Sequence, residues 1–100
     1  MRNKIYISGQ ITGIERDAPY LFDKAEAKLI EMGFKEVVNP MTIKHNHDLT
    51  LLSYMRADIV ALMDCDSIYM LSNWTNSRGA EIERKLAIDL GFKIIYQDKI

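Results

Sequence analysis

Apolar residues along this chain follow two spacings. Four short runs are dense in β-branched and aromatic residues: Lys4–Ser8, Glu36–Asn39, Ser67–Leu71 and Lys93–Tyr96. Such runs, stopped by Gly9 or Pro40, read as buried strands. Between them apolar residues recur at helical intervals. Phe22, Ala25, Leu29 and Met32 form one stripe; Leu52, Met55, Ile59, Leu62 and Met63 form a second, from about Asp48 to Cys65; Ile82, Leu86 and Leu90, with Ala87 beside them, form a third. Pro19 suits the first turn of the first helix and Gly33 its end, Asp48 is available to cap the second, and Gly91 stops the third.

The order is therefore βαβαβαβ. The strands are apolar throughout instead of alternating, as a parallel sheet covered on both faces requires. Right-handed crossovers then favour strand order 2-1-3-4. The expectation is an α/β three-layer sandwich, flavodoxin- or Rossmann-like, with a four-stranded parallel sheet flanked by helices. One hundred residues suit a single domain spanning 1–100, since domains commonly run to roughly 100–150 residues.

Composition narrows the function classes. With 13 basic against 14 acidic residues and no basic run, the chain lacks the electrostatic footprint of a nucleic-acid or anionic-membrane binder. Its apolar runs are too short to span a bilayer, and Met1–Lys4 leads into too few apolar residues for a secretory signal. A cytoplasmic location is expected. A lone Cys65 cannot form an internal disulfide, and its neighbours Asp64 and Asp66 disfavour a thiolate. With only His45 and His47 beside it, both on a polar loop where exposure is expected, no metal site and no cofactor are called for. A core this small places any pocket at an edge or between subunits and gains from a partner surface, so a homodimer or higher homo-oligomer is expected.

In a 2-1-3-4 sheet the ligand crevice lies outside the carboxyl ends of the first and third strands. Three segments meet there: Ser8-Gly9-Gln10-Ile11-Thr12-Gly13, the turn at Asn39-Pro40, and Ser72 through Glu81. The glycine loop matches neither the dinucleotide fingerprint nor a Walker loop, so Gly9 and Gly13 either let backbone approach a ligand or simply turn the chain. Ser77, Arg78 and Gly79 open a helix whose N–H groups favour an anion, or Asn76 or Ser77 merely caps it. Glu81, one turn in, is either a surface acid complementing the helix dipole or a nucleophile or base; Glu83 is expected in solvent. Asp58 borders the apolar stripe of the second helix, where a carboxylate needs a partner: Arg56, a helix end, or a sugar hydroxyl. Tyr6, Tyr69 and Trp74 serve as core aromatics or as a wall for a base.

Three stretches together resemble the nucleoside 2-deoxyribosyltransferase superfamily: Tyr6-Ile7-Ser8-Gly9-Gln10-Ile11-Thr12-Gly13, Asp58 through Leu71 with Cys65-Asp66, and Gly79-Ala80-Glu81-Ile82-Glu83 through Ala87. More narrowly the chain resembles a compact, functionally unassigned subfamily with Asn39-Pro40 and Tyr54-Met55-Arg56-Ala57-Asp58-Ile59 among its motifs. The resemblance implies a double displacement at the anomeric carbon of a nucleoside or nucleotide. A glutamate attacks that carbon, the base departs, and a second base or water takes the sugar. It places the nucleophile at Glu81 and a sugar-holding carboxylate at Asp58, with Tyr6, Ser8, Gly9, Gln10, Ile11 and Gly13 lining the pocket. Asn39, Pro40 and Trp74 complete the expected substrate-binding set, and Ser77 and Gly79 become candidates for a 5′-phosphate. The alternatives are a non-catalytic nucleotide or nucleotide-sugar binding module of the same fold, or a protein whose surfaces only mediate assembly.

Overall fold

The computed structural model describes residues 3–43 and 50–99. Its strands are β1 (Lys4–Ser8), β2 (Glu36–Val38), β3 (Ser67–Met70) and β4 (Lys93–Tyr96), and its helices α1 (Ala18–Glu31), α2 (Leu51–Met63) and α3 (Arg78–Asp89). All strand pairs are parallel and the order is β2-β1-β3-β4, as the apolar pattern led one to expect. In register, Ile5 lies beside Val37, Tyr6 beside Ile68 and Tyr69 beside Ile95.

Strand alternation divides the core into two layers. Ile5 and Ile7 of β1 and Tyr69 of β3 face α1, where Phe22, Ala25 and Leu29 complete one cluster. Tyr6 of β1 and Ile68 and Met70 of β3 face the opposite way, toward Leu62 of α2 and Ala80 and Ala87 of α3. Helix α1 thus covers one face, and α2 and α3 cover the other. The connections leaving β1 and β3 consequently diverge to opposite faces, which opens a crevice at the carboxyl ends of these adjacent strands.

Punctuation follows local chemistry. Pro19 occupies the first turn of α1, and Gly33 follows its end at φ +103°, a conformation that favours glycine. Asn39 ends β2 and accepts from Met41 N–H, opening a 3-10 turn over Pro40–Thr42. Helix α2 is capped by Thr50, whose hydroxyl accepts from Ser53 N–H. The cap expected at Asp48 lies outside the described residues, as do His45 and His47.

The helical stripes need correction. Met32 is 48% exposed at the end of α1, and Leu52 and Met63 of α2 stand in solvent while Met55, Asp58 and Leu62 are buried. On α3 the buried face is Ala80, Glu83 and Ala87; Ile82 and Leu90 are exposed. The alanines let α3 approach the sheet closely, a fit that the bulkier stripe through Ile82 does not offer. Glu83, expected in solvent, is only 5% exposed. Among the described residues no helix is long and apolar enough to cross a membrane.

Candidate functional site

The crevice holds a cavity of about 710 Å³, a volume suited to a small organic ligand. Its floor is Tyr6, Asp58 and Glu83; Ile11, Phe22, Pro40, Met41 and Met55 form apolar walls; Ser77, Arg78 and Gly79 border it at the start of α3.

The floor follows from strand alternation. Tyr6 and Ser8, two residues apart on β1, project to the same face. There the Tyr6 hydroxyl donates to Glu83 Oε2 at 2.7 Å and the Ser8 hydroxyl to Glu83 Oε1 at 2.7 Å. Both carboxylate oxygens are therefore held by donors from one strand, which fixes the side chain's orientation. Asp58, buried on α2, is near enough for its charge to bear on both Glu83 and Tyr6.

This environment shifts the titration of the group. Burial, the largest influence, raises the Glu83 carboxyl to about 7; the Ser8 and Tyr6 hydrogen bonds oppose the rise, and the charge of Asp58 adds to it. The Tyr6 hydroxyl is held well above its ordinary range, first by burial and then by the charges of Glu83 and Asp58. Tyr6 thus remains a donor throughout the pH range in which Glu83 ionises. A carboxylate with these properties can act as a nucleophile or exchange a proton near neutrality.

Neighbouring loops brace the cavity rim. A Cβ on Gly9 would lie 2.5 Å from Leu71 Cδ1, so only glycine lets the first loop pass over the end of β3. The next residue, Gln10, donates its backbone N–H to Asn73 Oδ1 at 2.9 Å, joining that loop to the segment leading into α3. Ser77 caps α3 by accepting from Ala80 N–H at 3.1 Å. Gly79 sits against Met55, where a Cβ would meet the sulfur at 3.3 Å, so α2 and α3 converge at the cavity edge.

Of the residues expected at the site, Tyr6, Gly9, Ile11, Pro40, Asp58, Ser77 and Gly79 line the cavity. Ser8 lies beneath it, bonded to Glu83. Gln10 and Gly13 shape the first loop, where the Gln10 amide donates to Thr12 O and Gly13 takes φ +93°. Asn39 is buried behind the Pro40 turn and donates to Asp23 and Glu26 of α1. Trp74 packs against Tyr96 beneath the Arg84 guanidinium, 4.7 Å from its ring centre, on the side of α3 toward β4. Tyr69 is wholly buried in the layer facing α1.

Glu81 is exposed and does not line the cavity. Two residues along a helix separate side chains by roughly 200°, so Glu81 and Glu83 cannot share a face, and the carboxylate on the floor is Glu83. A pattern within reach of the sequence was Ala80, Glu83 and Ala87, small residues flanking an acid at helical spacing, opposite the Tyr6–Ser8 pair. Met41, Ile43 and Glu15 also line the cavity and carried no comparable signal, and Tyr54 lines it too, marked in the sequence only as the first residue of the motif that holds Asp58.

Fold and site together define a parallel α/β domain with a carboxylate-floored cleft at its sheet switch point. Residues 3–96 match the family described as a domain of unknown function, DUF4406, and the chain belongs to that family. No curated protein matches it.

Proposed function

We propose that this domain cleaves or transfers N-glycosidic bonds of nucleosides or nucleotides, with Glu83 as the nucleophile. The observation that carries this reading is the buried Glu83 carboxyl on the cavity floor, held by Tyr6 and Ser8 with Asp58 beside it. It keeps the reaction class of the nucleoside 2-deoxyribosyltransferases, which the chain's motifs resemble, and moves the nucleophile from Glu81 to Glu83.

A Glu83 oxygen attacks the anomeric carbon, forming a glycosyl ester as the C1′–N bond breaks. The base leaves with that electron pair and takes a proton from water at the mouth. Water or a second base then attacks the same carbon and releases the carboxylate. The Tyr6 and Ser8 hydroxyls stabilise the charge that returns to Glu83 in this second step. Ser77, Gly79 and Arg78 stand where a 5′-phosphate would meet the positive end of α3.

The test incubates the chain with a panel of nucleosides and nucleoside 5′-monophosphates and follows base release by chromatography. Release is expected from the native chain and from Glu81→Gln, and is expected to fall at least about 1,000-fold in Glu83→Gln. Equal turnover by native chain and Glu83→Gln would refute the reading. Thermal stabilisation by a nucleotide without any product would instead favour the non-catalytic binding module.

A further inference from the structure

The carboxylate on the cavity floor is buried, and its partners are neutral. Glu83 is 5% exposed and accepts from two hydroxyls, those of Tyr6 and Ser8. Among the described residues no basic side chain pairs with it. Asp58 is buried beside it, and its charge bears on Glu83. Of the described residues that line the cavity, Glu15, Asp58 and Glu83 are acidic and Arg78 alone is basic. Arg78 is exposed at the start of α3, so its charge is solvated at the rim and does not reach the floor. A buried carboxylate without a countercharge is costly, and a cationic ligand supplies one.

The walls say what kind of cation fits. Ile11, Phe22, Pro40, Met41 and Met55 present carbon and sulfur. A metal ion sheds its water only to several oxygen ligands, which these walls do not offer. A flat heteroaromatic cation spreads its charge over a ring whose faces pack against aromatic and thioether groups. A volume of about 710 Å³ holds such a ring joined to a pentose.

Charge also governs how the glycosidic bond breaks. A neutral base leaves as an anion until water protonates it, and the carboxylates at the floor oppose that departure. A base that is already cationic leaves neutral. A Glu83 oxygen bonds to C1′ as the C1′–N bond breaks, the bonding pair returns to the ring nitrogen and cancels its charge, and no proton is needed. Positive charge passes from the ring to the anomeric carbon and faces the same carboxylate throughout. Water then attacks C1′, frees the Glu83 carboxylate and gives one proton to solvent.

We propose that the substrates of this site are N-glycosides of cationic bases, pyridinium or N-alkylated purinium rings carried on a pentose, held over the floor by the Glu83 carboxylate. This substrate class rests on the glycosidic reading with Glu83 as nucleophile, and adds to it the charge of the leaving group.

Nicotinamide riboside, a permanent pyridinium cation, is compared with the neutral nucleosides uridine and inosine at about pH 8, where Glu83 is ionised. Nicotinamide release is expected with a kcat/KM at least about 100-fold above release of uracil or hypoxanthine, and is expected to fall at least about 1,000-fold in Glu83→Gln. Calorimetry separates charge from leaving-group reactivity. The native chain should bind 1-methylnicotinamide about 10-fold more tightly than 3-methylbenzamide, its neutral isostere, and Glu83→Gln should bind the two equally. The native comparison holds even if Glu83→Gln fails to fold. Equal binding of the two rings by the native chain would overturn the substrate class, as would a preference that survives in Glu83→Gln. Glu83-dependent release from uridine or inosine at equal or greater efficiency would overturn it while leaving the glycosidic reading in place. Release from none of the three nucleosides would overturn both.

Discussion

Replacing Glu83 by glutamine removes a charge from the cavity floor while keeping the side chain's size. The hydroxyls of Tyr6 and Ser8 can still pair with the amide, one as donor and one as acceptor. The effect on stability should therefore be read in its pH dependence. In the native fold the Glu83 carboxyl titrates at about 7 against an ordinary value of 4.5. A group raised in this way binds its proton more tightly in the folded chain than in the unfolded one. Its contribution is complete below pH 4.5, declines as pH rises toward 7, and is gone above that. At about 1.4 kcal/mol per pH unit the full loss is about 3 kcal/mol. The Glu83→Gln variant has no such titration, so it should gain on the native chain by that amount between pH 4.5 and pH 7.5, then run parallel to it. Urea unfolding of both chains at closely spaced pH values, with the difference between their extrapolated stabilities plotted against pH, isolates this group because the remaining carboxyls largely cancel. A flat difference, or one in which the native chain gains as pH rises, would refute the reasoning. It would mean that the Tyr6 and Ser8 hydrogen bonds outweigh burial.

Other expectations follow from the same contacts. Ser8→Ala removes a bond that holds the Glu83 pKa down, so the acidic limb of the pH–rate profile should move upward from about 7; an unchanged or lowered limb would contradict the assignment. Asp58→Asn removes a charge that holds it up, so folded-state titration of Glu83 by NMR should move downward. Gly9→Ala forces a Cβ to within 2.5 Å of Leu71, and thermal unfolding should register a loss of about 1–3 kcal/mol. Thr50→Ala deletes the cap of α2, with an expected loss of about 1 kcal/mol in denaturant unfolding.

The strands and their order were legible because parallel strands buried on both faces must be apolar throughout, and Lys4–Ser8 and Ser67–Leu71 satisfy this without ambiguity. Once the order was set, the crevice between β1 and β3 followed from the connections, and Gly9, Pro40, Asp58 and Gly79 line the cavity there. The helix faces were less legible. On α3 the rule that larger apolar residues face inward selected Ile82 and Leu90, whereas close packing against the sheet admits only Ala80, Ala87 and one acid bonded from below. Glu83 satisfies its burial through β1, distant in sequence, so locally only the small Ala80 and Ala87 at helical spacing around it set it apart from Glu81. On α2 both sides are apolar, and periodicity alone could not separate the side that meets the sheet from the side carrying Leu52 and Val60. Asn39 and Trp74 illustrate a related limit: both stand beside the crevice in sequence, yet one anchors a turn to α1 and the other packs under Arg84.

The central claim is that Glu83 forms the covalent bond to the sugar. Peptide mapping by mass spectrometry, after incubation with 2-fluoro-substituted nucleosides that slow breakdown of a glycosyl ester, tests it most directly. The expected result is a sugar adduct on Glu83, absent from the Glu83→Gln variant. An adduct on Glu81, or on Glu83→Gln at the same yield, would contradict it.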